Sequence, residues 1–146
     1  MWKVGRKAGI RIDSPVKVRV RYGEVDRRGY CFHVHYLHYF ELARSEWLRR
    51  LWKPYKALEE SDIALVVTEA RRQYRRPAFY NDELEASVFY SEWGPSRINF
   101  VYEIRRAGEE AILCDGSTRL CFMNHAGRPI RIPLELKTIL DDIARK

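Results

Sequence analysis

Apolar and polar residues alternate over Val16, Val18, Val20 and Tyr22, the period-two pattern of a half-buried strand spanning roughly 16–22. The alternation breaks at a short polar turn carrying Glu24 and Asp26, with Gly29 behind it. From His33 or Val34 the period changes. Leu37, Phe40, Ala43, Trp47, Leu48 and Leu51 recur at helical spacing and mark one apolar face of a helix of about 18 residues. Pro54 ends or breaks it, and a short helical piece over Lys56–Glu60 follows.

Four strand-like segments come next, with no second long helix between them. Ile63–Arg76 opens apolar and turns basic; Leu84, Ala86, Val88 and Tyr90 alternate, as do Ile98, Phe100, Tyr102 and Ile104. Trp93-Gly94-Pro95-Ser96 and Arg106-Ala107-Gly108-Glu109 read as hairpin connections. The last segment, Ala111–Met123, contains Gly116, which predicts a bulge or a close backbone approach. Pro133 opens a C-terminal helix whose Leu136, Ile139, Leu140 and Ile143 form a second apolar stripe. A strand, a long helix and an antiparallel meander predict an α+β fold, long curved strands wrapped around one central helix. With no repeat, low-complexity segment or linker, residues 1–146 are expected to form a single domain.

Composition narrows the class. Hydrophobic content of 46% and aromatic content of 13% exclude a disordered chain. No apolar run approaches the ~20 residues of a membrane span, and the leading Met-Trp-Lys-Val-Gly-Arg-Lys lacks a signal-peptide core, so a cytoplasmic protein without membrane insertion is expected. Cys31, Cys114 and Cys121 are an odd set without a Cys-x-x-Cys pair, which suits a reducing compartment and argues against a disulfide scaffold or zinc knuckle. The net charge of +7 concentrates in the first 21 residues, in Arg71–Arg76 and around Arg105–Arg106. Such charge attracts phosphates, of nucleic acid or of a phosphorylated cofactor, unless the arginines simply decorate solvent-facing strand positions.

Candidate chemistry lies where the first strand meets the helix. A helix start offers unpaired N–H donors and partial positive charge, and a turn carboxylate beside it supplies a base or nucleophile, an arrangement that polarises a carbonyl. Asp26 and Glu24 compete for that role; read alone, either is an ordinary turn acid. His33, His35 and His38, with Glu41, invite a metal reading, but residues 35, 38 and 41 drift around a helix axis and no His-Glu-x-x-His pattern exists, so no metal is expected. Cys31 lies two residues from His33, yet nothing beyond nearby arginines would activate its thiol, and packing is the better reading. Phe32 and Tyr36 either line a pocket or belong to the core.

These residues also carry a family likeness. Tyr22-Gly23-Glu24-Val25-Asp26, Gly29, Phe32-His33-x-x-Tyr36 and Glu41-x-Ala43-Arg44 resemble the signature of the hotdog-fold acyl-CoA thioesterases. The groups most resembled are the 4-hydroxybenzoyl-CoA and Tol-Pal-associated thioesterases. The likeness continues through Tyr74-x-x-Pro77-Ala78-x-x-x-Asp82-x-Leu84 to Pro129-x-x-x-Pro133, roughly residues 16–135. It implies hydrolysis of an acyl-CoA to a carboxylic acid and CoA, with CoA part of the substrate and no separate cofactor. It selects Asp26 over Glu24 as the catalytic carboxylate, acting as nucleophile or general base. It places His33 as a helper at the helix start, and Gly29, Phe32 and Tyr36 as substrate contacts. A homodimer joined sheet edge to sheet edge, pairing further into a homotetramer, is implied too, each Asp26 working near the partner's helix start.

Departures accompany the likeness. Members usually have small residues after the catalytic acid, whereas this chain has Arg27-Arg28-Gly29. Two bulky cations there would favour the carboxylate, narrow the pocket, or meet a phosphate or carboxylate of the substrate. Arg71-Arg72-Gln73-Tyr74-Arg75-Arg76 is a candidate for holding CoA phosphates at the pocket mouth. Two other readings stand beside the enzyme: a non-catalytic acyl-CoA or acyl-carrier-binding hotdog protein, and a basic nucleic-acid-binding sheet protein. No recognised nucleic-acid motif favours the latter.

Overall fold

The alternating segments pair into one antiparallel sheet. The computed structural model describes residues 10–11 and 15–144, apart from the side chains of residues 10, 11, 90–92 and 144. Its strands are β1 (Ile10–Arg11), β2 (Val16–Arg19), β3 (Ala64–Tyr74), β4 (Glu83–Trp93), β5 (Arg97–Arg106) and β6 (Ile112–Met123). The helices are α1 (His35–Leu51), α2 (Tyr55–Glu60) and α3 (Leu134–Ala144). Strand order is β3-β6-β5-β4, and β1 and β2 both pair with the outer side of β4, making five strand positions. Extra residues at 68, 91 and 113 shift the register of β3, β4 and β6. Such bulges bend a strand and raise its twist, which curls the long strands over a helix.

Three sequence readings change in detail. The strand expected to reach Tyr22 stops at Arg19, because its partner β4 begins opposite it at Glu83. Tyr22–Glu24 instead form a 3₁₀ turn, and Tyr22 is 79% exposed. The two-residue strand β1 was not foreseen, being too short for any period. On α1 the buried stripe is Tyr36, Tyr39, Phe40, Ala43, Arg44, Trp47 and Leu48, with Leu37 and Leu51 only half-buried. Hydropathy misjudges that stripe because tyrosine and arginine bury apolar bodies while their polar tips find partners.

The middle of α1 is locked onto the sheet. The Phe40 ring stacks on Tyr102 at 4.4 Å and 7°, and Trp47 meets Phe100 edge-on at 5.1 Å. Gly116 makes the first contact possible. A Cβ there would lie 2.1 Å from the Arg71 carbonyl oxygen and 2.9 Å from Phe40 Cε2, while the register runs unbroken through it. The glycine therefore marks a close approach and not a bulge. Buried Arg44 donates from Nε to the Tyr55 hydroxyl at 2.8 Å and from Nη1 to that of Tyr102 at 3.2 Å. Tyr102 in turn shares a 2.6 Å hydrogen bond with Thr118 Oγ1. Leu136 and Leu140 of α3 join the same core, and Trp52 Nε1 donates to Glu135 Oε2 at 3.1 Å.

Candidate active site

The Asp26 turn is tied by its own backbone. Asp26 N–H donates to Tyr30 O at 2.8 Å and Gly29 N–H to Asp26 O at 3.0 Å. Gly29 has φ of 82°, a left-handed conformation that costs a side-chain-bearing residue strain. The Asp26 carboxylate takes part too: Oδ1 accepts from Arg28 N–H at 2.8 Å and Tyr30 N–H at 3.1 Å. Oδ2 makes no such bond to the turn; Arg28 Nη2 stands 3.7 Å from it. One oxygen thus holds the turn, and the other is left without a backbone donor.

Glu24, two residues earlier, is committed differently. Its Oε1 accepts from Arg21 N–H at 2.8 Å and from the Tyr39 hydroxyl at 3.2 Å, and its Oε2 lies 3.8 Å from His35 Nδ1. Glu24 clamps the turn to α1, which makes it a scaffold carboxylate. Tyr39 was missed as its partner, because only the helix phase brings position 39 over the turn.

Entry into α1 leaves donors open. Phe32 N–H donates to Glu24 O at 2.7 Å, His35 N–H to Phe32 O at 3.1 Å, and Tyr36 N–H to His33 O at 3.4 Å. Among the described residues the N–H groups of His33 and Val34 donate to no backbone acceptor, and the Val34 cap has no side-chain hydrogen bond. These are the orphan donors and positive end expected of a helix start.

A cleft of about 390 Å³ brings the pieces together. Asp26, Phe32, His33 and Tyr36 line it from the turn and helix, and Tyr74, Arg75 and Arg76 from the end of β3 and the loop after it. The helix start that shares this cleft with Asp26 is the chain's own. Gly29 shapes the turn instead of lining the cleft. Tyr74 donates its hydroxyl to His33 O at 3.2 Å, and its ring lies 5.4 Å from that of Tyr36. Tyr30 was not singled out from sequence; Tyr74 was marked only as a member of the family likeness and of the basic segment 71–76, without a role of its own. A neighbouring groove of about 470 Å³, lined by Lys17, Arg19, Tyr22 and Tyr80 among others, has no acid or histidine in its wall.

Environment sorts the remaining candidates. Burial pushes the Cys31 thiol above its ordinary range, and its Sγ sits 3.6 Å from the Tyr39 hydroxyl, so it stays a neutral packed thiol. Burial likewise raises Tyr36, whose oxygen accepts a 3.4 Å hydrogen bond from Ala78 N–H. Among the described residues no three His, Cys, Asp or Glu side chains are grouped to hold a metal. Glu41 is exposed and Arg44 lies in the core, so neither borders the cleft. Much of the basic charge is internally paired: Arg71 with Glu69, Arg75 with Asp115, Arg105 with Glu103, and Arg106 with Asp82 and Glu109. The N-terminal part of that charge, Lys3, Arg6 and Lys7, lies outside the described residues. No helix among the described residues is long and apolar enough to cross a membrane.

Known proteins share this architecture. The acyl-CoA thioesterase YbgC of Haemophilus influenzae is 32% identical over 122 residues, covering 82% of this chain and 88% of its own. The crystal structure of a hypothetical protein from Aquifex aeolicus superposes with a TM-score of 0.80 at 29% identity, over 86% of this chain and 97% of its own. The DHNA-CoA thioesterase of Staphylococcus aureus superposes with a TM-score of 0.84 over 90% of this chain and 91% of its own; at 24% identity it speaks to the hotdog fold alone. The family model of the thioesterase-like superfamily matches residues 20–144. On that match, with the hotdog fold around it, the chain belongs to the thioesterase-like superfamily and is a thioester hydrolase.

Proposed function

We propose that the chain hydrolyses an acyl-CoA thioester to a carboxylic acid and free CoA, using Asp26 and the start of α1. The observation that carries this reading is the split of the Asp26 carboxylate, in a residue that lines one cleft with His33: Oδ1 is held by two backbone N–H groups, and Oδ2 by none. The thioester carbonyl oxygen would accept from the open N–H groups of His33 or Val34, as in an oxyanion hole. Asp26 Oδ2 then attacks the carbonyl carbon, the C–S bond breaks, CoA leaves as the thiolate and takes up a proton, and water opens the resulting anhydride. In the general-base route Oδ2 instead takes a proton from the water that attacks. His33, exposed against Phe32 at 4.5 Å, is suited to orient water or substrate, while Phe32 and Tyr36 supply apolar wall.

The assembly proposed is a homodimer joined along β3, with dimers pairing into a tetramer. Support comes from β3 itself, an edge strand with Val66 and Val67 exposed. An open edge of that kind is a template for a second strand. The reading further takes residues 1–146 as one domain working in the cytoplasm, in keeping with three free cysteines.

The test is thiol release from short, long and aromatic acyl-CoAs by wild type and Asp26→Asn. Asparagine keeps the Oδ1 acceptor that ties the turn, so folding is preserved while the reactive oxygen is lost. Turnover is expected to fall at least a hundredfold, about 2.7 kcal/mol of transition-state stabilisation. A folded mutant as active as wild type would remove Asp26 from the mechanism, whereas a wild type that cleaves none of these thioesters would favour a non-catalytic acyl-binding protein.

A further inference from the structure

The mouth of the cleft carries guanidinium groups that internal pairing does not account for. Arg75 is held by Asp115 at 3.0 Å and by Gln73 at 3.3 Å. Arg28 is not held in that way. Its guanidinium lies over the Tyr30 ring, 5.4 Å from the centroid, and its approach to Asp26 Oδ2, 3.7 Å, is too long for a hydrogen bond. Its side chain is 77% exposed, and exposed pairs of this kind contribute little, so Arg28 leaves Asp26 readily. Arg76 donates its backbone N–H to Leu113 O at 3.1 Å, but among the described residues its guanidinium has no ion pair or hydrogen bond. Both arginines line the Asp26 cleft, Arg28 from the turn and Arg76 from just beyond β3.

Resting on the thioesterase reading, we propose that Arg28 and Arg76 form an anion clamp at the cleft mouth that selects the substrate. Planar guanidinium forks match groups with two or more anionic oxygens, so the clamp takes a carboxylate or a phosphate. Two parts of a thioester substrate supply that chemistry: a carboxylate at the far end of the acyl group, or the phosphates of CoA. Either anion draws Arg28 away from Asp26 Oδ2. Substrate binding and exposure of the reactive oxygen are then one event.

Four thioesters separate the two sources: butyryl-CoA, succinyl-CoA, and the butyryl and succinyl thioesters of N-acetylcysteamine, which lack phosphate. If the clamp holds the acyl carboxylate, wild type prefers succinyl over butyryl in both carriers. If it holds CoA phosphate, wild type prefers CoA over N-acetylcysteamine with both acyl groups. In Arg28→Ala/Arg76→Ala the relevant kcat/KM preference is expected to fall about tenfold or more, with part of it regained in Arg28→Lys/Arg76→Lys. A purely structural role would lower all four substrates together and leave the preferences as they were, which overturns the clamp. Should wild type cleave neither these four nor any long or aromatic acyl-CoA, the thioesterase reading fails separately. Calorimetric titration with CoA and with succinate then decides the clamp: binding weakened about tenfold in the alanine variant supports it, and equal binding overturns it.

Discussion

The first turn of α1 and its middle belong to one helix yet meet opposite surroundings. Around the start, Phe32 and Val34 are 44% and 45% exposed, and two N–H groups lack backbone acceptors among the described residues. Two to four turns later, Phe40 and Trp47 are 0% exposed, pressed on Tyr102 and Phe100. The packed stretch sets where the helix sits. The open end, freed from that task, keeps the donors that the proposed mechanism assigns to the thioester carbonyl. Stability and chemistry are thereby divided along a single element, and the division is open to experiment.

The largest effect should come from the packed half. Trp47→Ala removes a fully buried indole and is expected to cost about 3–5 kcal/mol in denaturant unfolding. The fraction that remains folded should keep its KM, and a cost under about 1 kcal/mol would show that the middle of α1 is not the anchor. Asp26→Asn is the mirror image: about 2.7 kcal/mol lost from turnover, with an unfolding midpoint close to wild type. Equal losses in both quantities would mean that the two halves are not separable.

A smaller change joins them. Gly116→Ala puts a methyl against the Arg71 carbonyl and the Phe40 ring, and overpacking of this kind costs about 1–3 kcal/mol. Because the nearest neighbour is the backbone carbonyl of Arg71, relief means shifting β3, whose end carries Tyr74 to the cleft, as well as the Phe40 ring, so KM should rise along with the loss of stability. A stability loss with KM as in wild type would show that the cleft does not depend on where Phe40 docks.

The smallest effect belongs to the helix surface. Hydrogen bonding and charge from Arg49, with Arg50 behind it, lower the Glu46 carboxyl from 4.5 to about 2. A depressed folded value gives stability that is fully present above about pH 4.5 and is lost as pH falls through about 2. The group is solvent-facing, so Glu46→Gln should cost only about 0.3–0.5 kcal/mol at pH 7 and nothing near pH 2. Urea unfolding of both proteins at the two pH values measures it, and a constant difference across pH would assign the effect to packing.

Much of the fold was legible before any coordinates because periodicity is a local property. Alternation announced β4 and β5, and Trp93–Ser96 and Arg106–Glu109 announced their turns. The change of period after Gly29 announced α1 within two residues of its start at His35. Asp26 and His33 were singled out by the family resemblance and not by period, which leaves Asp26 an ordinary turn acid.

The rest depends on contacts between distant segments. Tyr74, Arg75 and Arg76 reach the cleft only because β3 pairs with β6 at the sheet edge and ends beside the helix start. Gly116 signalled something unusual, but only the Arg71 carbonyl and Phe40 above it show a close approach. Glu24 and Asp26 differ little as turn acids. Their separation into a scaffold acid and the acid proposed to react rests on Tyr39 and His35 reaching back to one, while backbone N–H groups hold a single oxygen of the other. By itself the sequence determined the elements and the turn that carries the acid, since those follow from hydrophobic period and local backbone preference. That Tyr74 and Arg76 stand at the same cleft as the acid, the tertiary structure decided, because it depends on distances between residues far apart in the chain.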